Sequence, residues 1–211
     1  MTLNPTPTLI NSLYWITLTA VIVSSASGVL KAGFKKFDLF GVIIIAIATG
    51  LGGGSLRDVL LDREVFWIRD QIFFIASLAS AIVIFVTARL MVISPRFFLI
   101  PDAAGLATFS VAGTLVALML GTPWLVASFM GVMTGAMGGI FRDILSNEPP
   151  IVFQSQLYAT VSWGGSLLFI GLLYLNLDAT LAATIAGIGT FIARLLAIHY
   201  NLTLPTFRFK S

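Results

Sequence analysis

The twelve residues TGLGGGSLRDVL at positions 49–60 recur as TGAMGGIFRDIL at positions 134–145. Seven of the twelve are identical: Thr49, Gly50, Gly53, Gly54, Arg57, Asp58 and Leu60 each reappear 85 residues later. The same offset lays GVLKA at 28–32 over GTLVA at 113–117, and Gln71 over Gln156. A glycine cluster, an Arg-Asp pair and a second block at one ungapped offset mark an internal duplication.

Outward from these blocks the chain is apolar. Of 211 residues, 58% are hydrophobic and 10% charged, and the mean hydropathy is +1.01. Soluble domains carry about 25% charged residues, so lipid is the expected solvent. At about 20 apolar residues per span, the length holds roughly seven helices and short loops, with no separate soluble domain. Seven apolar segments emerge at 9–30, 39–61, 72–93, 98–120, 124–145, 157–174 and 179–200. The breaks at 31–38, 62–70, 94–96, 121–123, 147–150 and 176–178 carry charge or turn residues. Period-two alternation is not evident, which argues against a β-barrel.

The expected fold is therefore an all-α integral membrane protein, one membrane domain over 1–211, in the cell (inner) membrane. Repeat one covers about 9–93, repeat two about 98–174, and a seventh helix about 179–200. Each repeat holds three spans, an odd number, so the second copy enters the bilayer from the opposite side. The basic residues set the orientation. Lys31, Lys35, Lys36, Arg89, Arg96, Arg142, Arg194, Arg208 and Lys210 share one side; Arg57, Arg63 and Arg69 share the other, diluted by Asp58, Asp62, Glu64 and Asp70. That puts the C-terminus in the cytoplasm and the N-terminus outside. Residues 1–8 hold no Lys or Arg, so the first apolar run reads as a retained helix.

The paired motifs mark the functional centre. Gly50, Gly52, Gly53 and Gly54, and Gly135, Gly138 and Gly139, lie inside the second and fifth spans. Glycine costs a helix about 1 kcal/mol relative to alanine, so the clusters are expected to kink or unwind it. Unwound carbonyls and half-helix ends attract ions. The bland reading is close packing of small residues; Gly50 with Gly54 and Gly135 with Gly139 have that spacing. Gly53 lies 15 residues past Asp38, about 22 Å along a helix, which places Arg57–Asp58 toward the outer mouth and Arg142–Asp143 toward the inner one. Neighbouring Arg and Asp point different ways on a helix, so their partners are expected on other helices. The bland alternative is that the arginines snorkel to headgroups.

Ser24, Ser25, Ser27, Thr49, Ser55, Thr108, Ser110, Thr114 and Thr134 put hydroxyls inside spans. They bond back to their own helices or line a polar path. Asp102 reads as a helix cap or, more sharply, a cation site. Trp15, Trp67, Trp124 and Trp163 suit interfacial anchoring. Cysteine is absent, and His199 stands alone, so no metal site or cofactor is expected. The net charge of +3 is spread between apolar runs, which fits orientation rather than nucleic-acid binding. No nucleophile–base set, Walker loop or zinc spacing is present, so an enzyme is not expected.

GLGGGSLRDVL, its partner GAMGGIFRDIL, and PDAAGLATFSVAGT at 101–114 resemble the prokaryotic branch of the trimeric intracellular cation (TRIC) channels. That branch overlaps a bacterial family described as glycine transporters. The resemblance covers nearly the whole chain. It implies a seven-helix protomer with an outside N-terminus, a homotrimer, an ion path within each protomer with kinked second and fifth helices, and passage of K+ with some Na+. The halves are not equivalent: Asp102 and Gly105 stand where repeat one has Thr17 and Ala20. Inverted repeats with broken helices suit a secondary transporter of a small solute such as glycine equally well, and a non-conducting scaffold is the third reading.

Overall fold

The structure, a computed structural model, describes residues 6–90, 94–154 and 157–205. Gln156, Arg208 and Lys210, used above for the repeat and the charge balance, lie outside them. Regular structure among the described residues is helical. The helices are α1 (Pro7–Ala32), α2 (Leu39–Leu60), the short α3 (Phe66–Arg69), α4 (Ile72–Ala88), α5 (Leu99–Met119), α6 (Trp124–Leu145), α7 (Ala159–Tyr174) and α8 (Ala179–His199). Helix α3 was not expected; the segment around it reads as a break. Five helices are long and apolar enough to cross a membrane, and α4 and α7 are shorter apolar helices.

Local chemistry sets the ends. Thr6 caps α1 through Leu9 N–H at 3.2 Å, ahead of Pro7, and Asp38 caps α2 through Gly41 N–H at 2.8 Å. Such side chains satisfy the orphan donors of a first turn. Asp62 follows α2 and Asn147 follows α6 at matching positions, with φ of 50° and 54°. Both adopt the left-handed conformation that ends helices and that Asn and Asp tolerate.

The outward faces of the helices are apolar, unlike those of a soluble bundle. Helix α4 buries Ser77 and Ser80 and exposes Ile75, Ile82, Val83 and Val86. Helix α7 buries Ser162 and Ser166 beside Phe169, Ile170 and Leu173 and exposes Leu167 and Leu168. Small hydroxyls inside and branched aliphatics outside is the arrangement that lipid favours. The chain is membrane-embedded. At its centre α5 is the most enclosed helix, packed by α6, α1, α8 and α7, while α2 packs against α6, α1 and α4. Helix α8 covers α5 and α7.

The glycines do not break their helices. Helix α2 runs unbroken through Gly50–Gly54 and α6 through Gly135–Gly139, and the described glycine with positive φ is Gly121, in the α5–α6 turn. The expected unwound turns are therefore corrected to continuous helix. In lipid each freed backbone group costs several kcal/mol, more than the glycines lose by staying helical.

Candidate functional site

Helices α2 and α6 meet where neither can carry a side chain. A Cβ added at Gly53 would collide with the Thr134 carbonyl oxygen, and one at Gly138 with the Thr49 carbonyl oxygen. The contact is reciprocal, because Thr49 and Thr134 are themselves 85 residues apart, as Gly53 and Gly138 are. Gly28 faces the Thr49 hydroxyl and Gly113 the Thr134 hydroxyl; Gly50 faces Ser25 and Gly135 faces Ser110. Close approach, the bland reading, is what these glycines provide. Gly52 and Gly54 make room for the rings of Phe141 and Phe66, and Gly139 lies against the Tyr158 hydroxyl.

The hydroxyls follow the same offset. Ser25 and Ser77 pair at 2.8 Å between α1 and α4, and Ser110 and Ser162 pair at 2.6 Å between α5 and α7. Thr49, Thr134, Thr114 and Ser55 bond back to carbonyls of Ile45, Met130, Ser110 and Leu51, and Ser55 also accepts the Trp67 indole N–H at 2.8 Å. Sequence reasoning missed Ser77 and Ser162. Their signal was available, since they stand 85 residues apart.

The Arg-Asp pairs form two buried clusters. Arg57 Nε donates to Asp58 Oδ1 at 2.8 Å, and Arg142 Nε to Asp143 Oδ1 at 2.9 Å. The second carboxylate oxygen of each aspartate accepts a backbone N–H eight residues on, Phe66 at 2.9 Å and Ile151 at 3.0 Å. Each aspartate thus anchors the chain that returns after its helix. Neighbouring Arg and Asp need not pair on a helix, yet here they do, and only Arg142 also finds its expected partners on other helices. The guanidinium is long enough to curl round the last turn, and an enclosed charge is costly unless paired. Snorkelling is corrected, because Arg57 is 2% exposed and Arg142 0%.

The clusters then diverge. Arg142 Nη1 also donates to Ser27 at 2.9 Å and to the buried Asp102, whose ring of neighbours includes the Tyr158 hydroxyl at 3.4 Å. The α5 cap is Phe98, and Asp102 lies within the first turn, so it is neither the cap nor a free cation site. Phe98 lies 5.0 Å below the Arg142 guanidinium, and Phe66 5.7 Å from that of Arg57. Tyr158 was not expected; a tyrosine beyond the repeated blocks carries no signal in one sequence. Ser24 is buried against Gly105. Among the described residues no group of three His, Cys, Asp or Glu could hold a metal. Beyond the bundle, Glu148 bridges Lys31 and Lys35, the latter at 2.8 Å. Hydrogen bonds from both lysines hold its carboxyl below the usual carboxylate range.

The apolar outer faces and the duplicated buried hydroxyls define a helical membrane protein with two matched buried charge clusters. A family model described as Glycine transporter matches residues 14–89 and 99–174, two stretches that begin and end 85 residues apart. The UPF0126 inner membrane protein YadS of Escherichia coli is 34% identical over 197 residues, 92% of this chain and 95% of that protein. A UPF0126 membrane protein of Vibrio cholerae is 36% identical over 92% of this chain and 82% of its own length. The TRIC trimeric intracellular cation channel orthologue from Rhodobacter sphaeroides matches with a TM-score of 0.85 and 31% identity, covering 90% of this chain and 98% of that one. A prokaryotic TRIC channel crystallised in 0.5 M KCl matches at 0.82 and 28%, covering 91% and 98%. The chain belongs to this family, the prokaryotic TRIC channels, which the glycine-transporter model also describes.

Proposed function

We propose that the chain is a monovalent cation channel, permeable to potassium, with an ion path inside each protomer between α2 and α6. The observation that carries this is the likeness, over nearly the full length, to structures described as TRIC cation channels. The path is shut where Gly53 and Gly138 meet the Thr134 and Thr49 carbonyls, and it conducts when the two helices part there. Arg57–Asp58 flanks the outer mouth and Arg142–Asp143 the inner one. Ser24, Ser27, Asp102, Ser110 and Thr114 supply its polar wall.

Seven helices cross the membrane in this reading, α4 and α7 included, as two inverted three-helix repeats followed by α8. The reciprocal Gly53–Thr134 and Gly138–Thr49 contacts support a two-fold axis between α2 and α6, since only a two-fold makes a contact self-complementary. The charge balance supports an outside N-terminus and a cytoplasmic C-terminus. The protomers assemble as a homotrimer in the inner membrane.

Single-channel recording from purified protein in a planar bilayer tests the reading. Unitary potassium currents that do not saturate in the manner of a carrier are expected. The family-model description favours a second reading, a secondary transporter of glycine. Saturable glycine uptake by proteoliposomes, with no unitary openings, would replace the channel by that transporter.

A further inference from the structure

Arg57 is enclosed, yet one of its nitrogens is unused. Its Nε and Nη2 both lie 2.8 Å from Asp58 Oδ1, while the buried Nη1 has no hydrogen-bond partner. The matching arginine, Arg142, has a second carboxylate, Asp102, and the Ser27 hydroxyl on its Nη1, and it too leaves one buried nitrogen, Nη2, unpartnered, so the two differ in the extra acid. The residues 85 positions away from those two are Thr17 and Ala112. Neither brings a negative charge, so the first half lacks an acid that the second half builds in. Leaving a charged donor unpaired in a buried place costs more than leaving a neutral one.

Arg57 and Thr17, the counterpart of Asp102, border a cavity. This cavity, of about 190 Å³ between α1, α3, α4 and α5, is lined by Arg57, Arg63, Arg69, Asp70 and Thr17 above an apolar floor. Arg63 Nε lies 3.5 Å from Asp58 Oδ1, and Asp70 Oδ1 is engaged by the Ile72 N–H. Three guanidinium groups therefore stand against the two carboxylates of Asp58 and Asp70; Asp62 and Glu64 are exposed and do not line the cavity. Guanidinium groups match oxygen anions by charge-assisted hydrogen bonds. The volume exceeds that of several waters, at about 30 Å³ each.

We propose that this cavity binds a small oxyanion, a carboxylate or a phosphate, whose oxygen sits on Arg57 Nη1 as Asp102 sits on Arg142. The site does not depend on what the path conducts, because the test reads binding and not current. The thermal midpoint of the purified full chain in detergent is followed as sodium acetate or sodium phosphate replaces sodium chloride at constant ionic strength. Binding to the folded state raises the midpoint saturably. Thr17→Asp supplies the missing carboxylate from within. Its midpoint without added anion is expected above that of the unaltered chain, and the acetate or phosphate effect is expected to vanish. Arg69→Gln, at an exposed rim position, is expected to weaken the apparent affinity about tenfold, roughly one lost charge-assisted contact.

A midpoint that rises without saturation, or identically in Thr17→Asp, overturns the site. If Thr17→Asp does not fold, unchanged affinity in Arg69→Gln overturns it alone. Nanodiscs of phosphatidylcholine with and without phosphatidylglycerol separate the sources. A response to free acetate that disappears when phosphatidylglycerol is present assigns the site to a lipid phosphate; one that persists assigns it to a soluble acid. No response from either source refutes the proposal.

Discussion

Asp102 is a single residue on which the two halves part company. It lies buried against Arg142, and its counterpart Thr17 carries no charge. Removing one member of a buried ion pair leaves its partner's charge uncompensated and costs about 3–5 kcal/mol. Asp102→Ala is therefore expected to lower the unfolding free energy by that order, although Arg142 retains Asp143. Equilibrium denaturation in detergent checks it, and a loss below about 1 kcal/mol would show that the pair is not enclosed as described. The sequence marked Arg142, Asp143 and Asp102 as residues of interest but not as one cluster. Their meeting joins α5 to α6 across 40 positions. Nothing in spacing along a chain encodes which buried charges a tertiary contact will bring together. The Arg57–Asp58 bond escaped for a different reason: neighbours on a helix diverge at their Cβ atoms, but a guanidinium is long enough to reach back.

At the scale of helices, the glycine clusters were legible as special and misread as to why. Helix propensity alone argues for a break in α2 and α6, but a bilayer penalises every broken backbone bond, and the glycines are used for contact instead. Substitution therefore acts through overpacking, not through loss of a hinge. Gly53→Ala sets a methyl against the Thr134 carbonyl and is expected to cost about 1–3 kcal/mol, read by thermal unfolding. Gly53→Leu with Gly138→Leu is expected to abolish potassium current in bilayers; unchanged unitary conductance would remove α2 and α6 from the path. A second contact between elements is electrostatic. Glu148, after α6, holds Lys31 at the end of α1 and Lys35 in the turn beyond it. Its carboxyl is depressed by hydrogen bonds from those lysines. The folded-state value thus lies below the unfolded one, so the stabilisation is complete above the ordinary carboxylate range and is lost as pH falls through the lowered value. For a partly exposed pair the effect is under about 1 kcal/mol and is screened by salt. Glu148→Gln is expected to flatten the acid limb of the stability–pH curve, and a curve identical to that of the unaltered chain would exclude the clamp.

For the whole molecule, the duplication decided more than any motif. The seven apolar segments lead to the helices, and the 85-residue offset relates the serine pairs once one of them is seen, because a repeated fold repeats its contacts: Ser25–Ser77 returns as Ser110–Ser162. What the offset alone leaves open is direction, since a duplicated unit can be parallel or inverted. Three crossings per unit, as proposed above, would make inversion obligatory, and this has a direct consequence. Glu64 and Pro149 are matching positions in matching exposed loops, and in an inverted pair they face opposite sides of the membrane. The chain has no cysteine, so one cysteine introduced at a time is the single thiol available. In right-side-out spheroplasts, Glu64→Cys is expected to react with a membrane-impermeant maleimide, and Pro149→Cys only after the membrane is permeabilised. Labelling of both from the same side would show that the units are parallel, or that α4 or α7 fails to cross. Reversed accessibility would keep the inversion and turn the molecule over, placing the nine-residue basic side outside against the positive-inside rule.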